Sequence, residues 1–504
     1  MRICTTTAKA LALLAFLAPA AGAETAPKYS ADIPARITTP DSVETSIGTL
    51  RFTNGAPDAK TAELVYDNLD RMRGVEAFLT GISATSVRAV CNGLAAAGVA
   101  PNKALGITED MMDARSLFLT PNTTTPYALT CLDLTGGPMV LTVPAGVLGP
   151  VDDGNFAWVT DIGLTGPDKG KGGTYVFLPP GTKDKPAVPE GAFTFTPATN
   201  TLLVFFRVFV ENGDLAGAVR NVTGGTRISA LADAENPPAT EFVNLSGKAF
   251  NTISANDMNF FDELNQVVQT EPEGFVDPAT TGLFASIGII KGKDFAPDDR
   301  MKTILTDAVA IGNATARSIV FAPRNPAAYF YPDRKWFTAF IGGSYQFLDG
   351  ASLMLDARTM FFYYATGITP AMAAAKPGTG SAYAVTTRDG KGEVLDGGKT
   401  YKVTLPGPIP AKQFWSFVVY DNITRSLLET DQKTAGVDSA AQGLKTGADG
   451  SVTVYFGPKA PEGEAANWVQ TMPGKGFNVI LRLYGPEAAW FDKSWKPGDL
   501  EPVE

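Results

Sequence analysis

Five short strings in the first half of the chain recur, in the same order, in the second. Tyr127-Ala-Leu-Thr130 matches Tyr383-Ala-Val-Thr386, and Leu141-Thr-Val-Pro144 matches Val403-Thr-Leu-Pro406. Phe156-Ala-Trp-Val-Thr-Asp161 pairs with Trp415-Ser-Phe-Val-Val-Tyr-Asp421, and Gly173-Thr-Tyr-Val-Phe-Leu-Pro179 with Gly450-Ser-Val-Thr-Val-Tyr-Phe-Gly-Pro458. Val204-Phe-Phe-Arg207 pairs with Val479-Ile-Leu-Arg482. Each string is rich in β-branched and aromatic residues and ends in Gly, Pro or Asp, the pattern of a strand running into a turn. Recurrence in order predicts an internal duplication: two related β domains, each too short to account for 504 residues alone.

Between and before these blocks the period changes from two to between three and four. Ala62, Val65, Leu69, Met72, Val75 and Phe78 predict a helix from Asp58 to a stop at Gly81, with a second over Ser86–Ala97. Further helices are expected over 257–269, 297–321 and 351–366. The fold class expected is therefore α+β, mainly β: two related β-sandwich or jelly-roll-like domains, a helical segment between them and short N-terminal helices. The boundaries are 1–23 for a leader, 24–57 for an extended lead, 58–250 for the N-terminal β domain, 251–376 for the helical segment and 377–504 for the C-terminal β domain. Gly166–Gly173 (GPDKGKGG) lacks the spacing of a phosphate loop and reads as a hairpin connection.

The leader has a basic start (Arg2, Lys9), an apolar run over Ala10–Ala18 and small residues at Ala21-Gly22-Ala23. That order is the pattern of a secretory signal, with cleavage near Ala23 and a periplasmic or secreted product. No later apolar stretch reads as a transmembrane segment. Cys91 and Cys131, which follow the leader, can pair as a disulfide in an oxidising compartment or remain two buried thiols. The net charge of −10, without a basic stretch, disfavours nucleic acid as a partner.

The chain has no histidine. Imidazole-dependent nucleophilic catalysis is thereby excluded, and proton transfer is left to Asp, Glu, Tyr, Lys and Cys. No cofactor or metal motif is present in the sequence. Arg207 and Arg482 are the most informative residues, because a charge within an apolar strand is costly unless paired or placed in a cleft. Asp161 and Asp421, also repeated, are their natural partners, which makes each pair a structural clamp; ligand binding is the alternative.

Specific strings carry a resemblance. Pro121-Asn122-Thr-Thr-Thr-Pro-Tyr127, Leu132-Asp133-Leu134 and Gly137-Pro138 resemble the bacterial domain of unknown function 1254. Phe414-Trp415-Ser416, Tyr420-Asp421, Asn467-Trp468 and Leu481-Arg482-Leu483-Tyr484-Gly485-Pro486 resemble its usual C-terminal companion, the domain of unknown function 1214. The resemblance implies a β-sandwich or jelly-roll fold with helices, often assembled as a homo-oligomer, and no settled activity. The family usually carries an Asp two residues after the motif Asn, where this chain has Thr124.

Three functions are open at this stage. The first is binding of a small polar or carbohydrate-like molecule in a cleft, through Asn122, Tyr127, Arg207, Trp336, Trp415, Tyr420, Trp468 and Arg482, with Tyr484 as a further stacking face. The second is a carbohydrate-active enzyme, a hydrolase or lyase, drawing on Tyr127, Asp133, Asp161, Tyr420 and Asp421. The third is a structural envelope protein.

Overall fold

The computed structural model describes residues 28–503. The expected leader, residues 1–23, lies outside them. The chain divides into a small unit up to Tyr66 and a large one from Asp67. In the small unit the expected lead is partly strand: Ser42–Thr45 and Gly48–Thr53 form an antiparallel hairpin, extended by Ala56–Pro57.

The large unit is α+β and mainly β. The strands that matter for the site are, in the first half, β1 (Tyr127–Asp133), β2 (Met139–Val143), β3 (Val147–Asp153), β4 (Trp158–Gly163), β5 (Gly173–Phe177), β6 (Phe193–Phe195) and β7 (Thr201–Val208). In the second half they are β8 (Ser381–Thr386), β9 (Tyr401–Leu405), β10 (Ala411–Asp421), β11 (Gly436–Asp438), β12 (Val452–Gly457), β13 (Trp468–Gln470) and β14 (Phe477–Pro486). The order β1-β7-β3-β4 in one sheet is matched by β8-β14-β10-β11, and β6-β5-β2 in another by β13-β12-β9. Both β5–β6 and β12–β13 are parallel pairs, whereas β2–β5 and β9–β12 are antiparallel. The first half adds Ala104–Ile107 beside β1, with Glu241–Asn244 beyond it, and Arg227–Ala230 beside β2.

This order corrects one sequence match. Phe156–Asp161 falls on β4, an edge strand, whereas Trp415–Asp421 falls on β10, which pairs directly with β14. The strand in the position of β10 is β3, whose Gly149 and Pro150 hide it from a propensity reading. In register, Asp153 opposite Leu202 then takes the place of Asp421 opposite Phe477. Both acids hold turns: Asp153 accepts from the Asn155 and Ala157 amides, and Asp421 from the Ile423 amide. The loop Gly166–Gly173 is also not a hairpin connection, since β4 and β5 lie in different sheets. It is folded around Asp168, which accepts from the Gly163 and Gly172 amides and from the Tyr175 hydroxyl at 2.6 Å.

Each pair of sheets encloses its own apolar core, and the alternation of side chains decides what faces it. In β7, Leu202, Val204, Phe206 and Val208 point into the first core; in β14, Val479, Leu481 and Leu483 point into the second. The other face of each strand, Leu203 and Phe205 or Ile480, joins a third core with the helices. Arg207 and Arg482 stand in the same alternating rows as Phe205 and Ile480, so both sit on faces turned toward this shared helical core.

The first helix, α1 (Ala59–Ala96), is continuous; Gly81 does not stop it. A Cβ at Gly81 would lie 3.1 Å from Leu264 of α2 (Asn259–Thr270), and one at Gly93 only 1.9 Å from the Asn251 carbonyl oxygen. These glycines let neighbours approach closely, which offsets their low helix propensity. Cys91 in α1 and Cys131 in β1 form a disulfide, with Cα atoms 5.7 Å apart. By length and composition α3 (Asp299–Phe321) could cross a membrane, contrary to the sequence expectation. Its stripe of Ile304, Leu305, Ala308, Val309, Ala316 and Val320 is buried, and Asp307 pairs with Arg71 at its surface. That is the pattern of a core helix.

Without histidine, pH sensitivity falls to buried carboxyls. Glu263 in α2 accepts from the Ser254 hydroxyl and Ala255 amide, and burial pushes its carboxyl up to about 7. Its folded pKa thus exceeds the ordinary 4.5, so the folded state holds the extra proton between those values. The sign follows: this contribution to stability falls as pH rises through 7. We expect Glu263→Gln to gain stability relative to the parent protein between pH 5 and pH 8, read from urea midpoints. A difference independent of pH would refute that assignment.

Candidate functional site

A cavity with about 110 Å³ of water-accessible space lies where the first and second β halves meet the helical core. Its polar end is built from two equivalent cross-strand pairs. Tyr127 of β1 lies opposite Arg207 of β7, and Tyr383 of β8 lies opposite Arg482 of β14. All four line the cavity.

Neither arginine has a carboxylate partner among the described residues, and the expected clamps are not formed. Asp161 instead accepts from Trp158 Nε1 and from the Thr369 hydroxyl, both at 2.9 Å. Asp421 pairs with Lys475 at 2.8 Å. The sequence match that produced the clamps was displaced by one strand on the first-half side. On the other side, the strand register puts Asp421 five residues along the ladder from Arg482, opposite Phe477.

Arg482 is 4 % exposed. Its Nη2 donates to the Thr120 carbonyl at 2.9 Å, while Nη1 is buried without an acceptor among the described residues. Its guanidinium stands 5.8 Å from the ring centroids of both Tyr383 and Tyr420, cation–π distance. Arg207 is half-buried and faces the cavity, with Tyr383, Tyr127, Tyr484 and Arg482 as its electrostatic neighbours. Thr366, just beyond α4 (Leu355–Tyr364), also lines the cavity, and its hydroxyl is buried with no partner among the described residues.

Tyr127 is held by the Asn122 loop. The Asn122 side-chain oxygen accepts from the Thr124 and Thr125 amides at 2.9 Å, which fixes the amide orientation. Asn122 then donates twice to the Tyr127 hydroxyl, from its backbone N at 3.0 Å and from Nδ2 at 2.7 Å. Burial pushes the Tyr127 phenol up, and Arg207 and the Asn122 amide only partly oppose it. The phenol is therefore protonated near neutral pH, with two donors already on its oxygen. Its own proton has no acceptor among the described residues and is free for a cavity occupant. Burial also raises Tyr364 and Tyr420. Tyr364 donates to Asn478 Oδ1, and Tyr420 donates to the Pro121 carbonyl at 2.6 Å, tying the Asn122 loop to β10. Thr124 meets the Tyr484 hydroxyl at 3.5 Å.

Of the sequence candidates, Asn122, Tyr127, Arg207 and Arg482 converge on the cavity, and Tyr420 backs Arg482. The tryptophans do not join them. Trp336 is fully buried in the second-half core and donates to the Gly498 carbonyl, Trp415 packs on Phe417 there, and Trp468 donates to the Gly457 carbonyl. Asp133 accepts from the amide and hydroxyl of Thr135, a turn role. Tyr383 and Thr366 are among the cavity residues that the sequence candidates did not include. Tyr383 was legible as the counterpart of Tyr127 in the first repeated block. Thr366 had no sequence signal, because Gly367 beside it adopts a φ of +81° and leaves room for the Phe205 ring, a contact between distant segments.

Residues 102–230 match the family model described as Protein of unknown function (DUF1254), and residues 380–488 match Protein of unknown function (DUF1214). The chain carries both domains, in that order. The DUF1254 match holds the Asn122 loop, Tyr127 and Arg207, and the DUF1214 match holds Tyr383, Tyr420 and Arg482. The cavity is thus assembled from both domains and the helices between them. No curated protein matches the chain. Among solved structures it is similar to the VPA0106 protein from Vibrio parahaemolyticus, at 17 % identity over 86 % of this chain and 100 % of that one, with a TM-score of 0.53. An uncharacterised protein from Burkholderia cenocepacia matches at 13 % identity over 87 % and 96 % of the two chains, with a TM-score of 0.39. At these identities the first likeness concerns the fold.

Proposed function

We propose that this chain is an exported binding protein that holds a small anionic molecule between its two β domains, through Arg207 and Arg482. The observation that carries the reading is the pair Arg207 and Arg482, which both line the cavity and have no carboxylate partner among the described residues. A buried donor left unsatisfied costs about 1–3 kcal/mol, and more when charged. Arg207 and the Tyr127 proton are the donors nearest this space. Two cations without a carboxylate partner among the described residues favour an anion over a neutral sugar. No Asp or Glu is among the described residues lining the cavity, so the paired carboxylates of a glycoside hydrolase find no support there. Export rests on the sequence pattern of residues 1–23 alone.

The test is a thermal-shift panel at low ionic strength with acetate, benzoate, inorganic phosphate and glucose. A ligand that binds only the folded state at a hundred times its Kd adds about 2.7 kcal/mol of stability. We expect at least one anion to raise the midpoint and glucose to leave it unchanged. A shift with glucose alone, or with none of the four, would overturn the reading.

A further inference from the structure

We infer that the anion is the head of a short amphiphilic acid, a carboxylate carrying an apolar body of a few carbons. The inference rests on the anion reading above and adds the ligand class. Its basis is the change of chemistry along the ladders. One step in from Tyr127–Arg207 lies the pair Leu129–Phe205, and one step in from Tyr383–Arg482 lies Val385–Ile480. Phe205, Val385 and Ile480 all line the cavity, joined by Phe118, Phe340 and Phe361. Two residues along a strand is about 6.6–6.8 Å. A ligand with its charge between the arginines therefore extends an apolar tail over that length, against side chains from both β domains and α4.

An inorganic anion would leave this wall facing water. A neutral apolar molecule would leave the Arg207 and Arg482 charges without a counter-charge among the described residues. A molecule with both ends satisfies both walls.

The experiment is calorimetric titration of the full chain at low ionic strength with acetate, butanoate, hexanoate, 1-hexanol and inorganic phosphate. Each methylene buried against the wall should tighten binding about fourfold. Hexanoate should therefore bind more than a hundredfold tighter than acetate, and at least tenfold tighter than phosphate or 1-hexanol. If acetate or phosphate binds as tightly as hexanoate, the amphiphile inference fails while the anion reading stands. If 1-hexanol matches hexanoate, or if nothing in the series binds, both fail.

Discussion

The double variant Arg207→Met/Arg482→Met is expected to lose anion binding by about a hundredfold or more while its ligand-free fold becomes no less stable. The first half follows from hydrogen bonds to a charged group, each contributing about 1.5–3 kcal/mol; two lost together weaken binding roughly a hundred- to ten-thousandfold. The second half is less intuitive. A buried charge that lacks its partner carries an uncompensated desolvation cost, and replacing buried ions with apolar residues of similar volume is often neutral or stabilising by about 1–4 kcal/mol. Against this stands one native contact, the Nη2 bond to the Thr120 carbonyl, whose loss leaves that acceptor short by about 1 kcal/mol. The cation–π contacts with Tyr383 and Tyr420 are given up as well, at about 0.5–2 kcal/mol each, so gain and cost nearly cancel and a near-neutral change is expected. Urea midpoints of the ligand-free proteins and titration with the best anion read the two halves separately. Binding that survives, or a fold that collapses, would make the arginines structural after all.

The repeated blocks made the strand order legible because a buried strand leaves a dense local signature. The first, second, fourth and fifth blocks fall on strands that occupy matching places in the sheets, and the Tyr–Arg pairs follow from the first and fifth. The third went astray for a physical reason. In β3, Gly149 lies within van der Waals reach of the Phe205 carbonyl and the Phe206 backbone, so no side chain fits there. A strand that must carry Gly and Pro to fit its neighbour reads as a loop, and the nearest aromatic string resembles a strand in its place. The same error placed Asp161 beside Arg207, whereas the Asp421 clamp fails because Asp421 lies five residues along the ladder from Arg482. What is placed around the cavity by long-range packing, Thr366 at the end of α4 and Phe340 in an irregular segment, has no local code to read. The aromatic candidates failed differently: Trp336 and Trp415 are core residues whose polar atoms or rings are satisfied inside the second half, the commonest fate of a large aromatic side chain.

The link between fold and site makes the disulfide the second large lever. Cys91 lies on the long first helix and Cys131 on the strand that presents Tyr127, forty residues apart. On the chain-entropy model a loop of that length restricts the unfolded chain enough to stabilise the fold by about 4 kcal/mol. Cys91→Ala/Cys131→Ala should therefore lower the urea midpoint substantially, and reduction of the parent protein should lower it to a similar value. Alanine is chosen because both cysteines are buried, 7 % and 4 % exposed, and serine would add two unsatisfied hydroxyls to an apolar core. Anion affinity of the folded alanine variant should change little, since Tyr127 is positioned by Asn122 and by the Thr108 hydroxyl on its amide rather than by the bridge. A midpoint unchanged by both the substitution and the reductant would show that the bridge adds nothing to stability. A midpoint lowered together with binding would instead make the helix-to-strand tie part of the site.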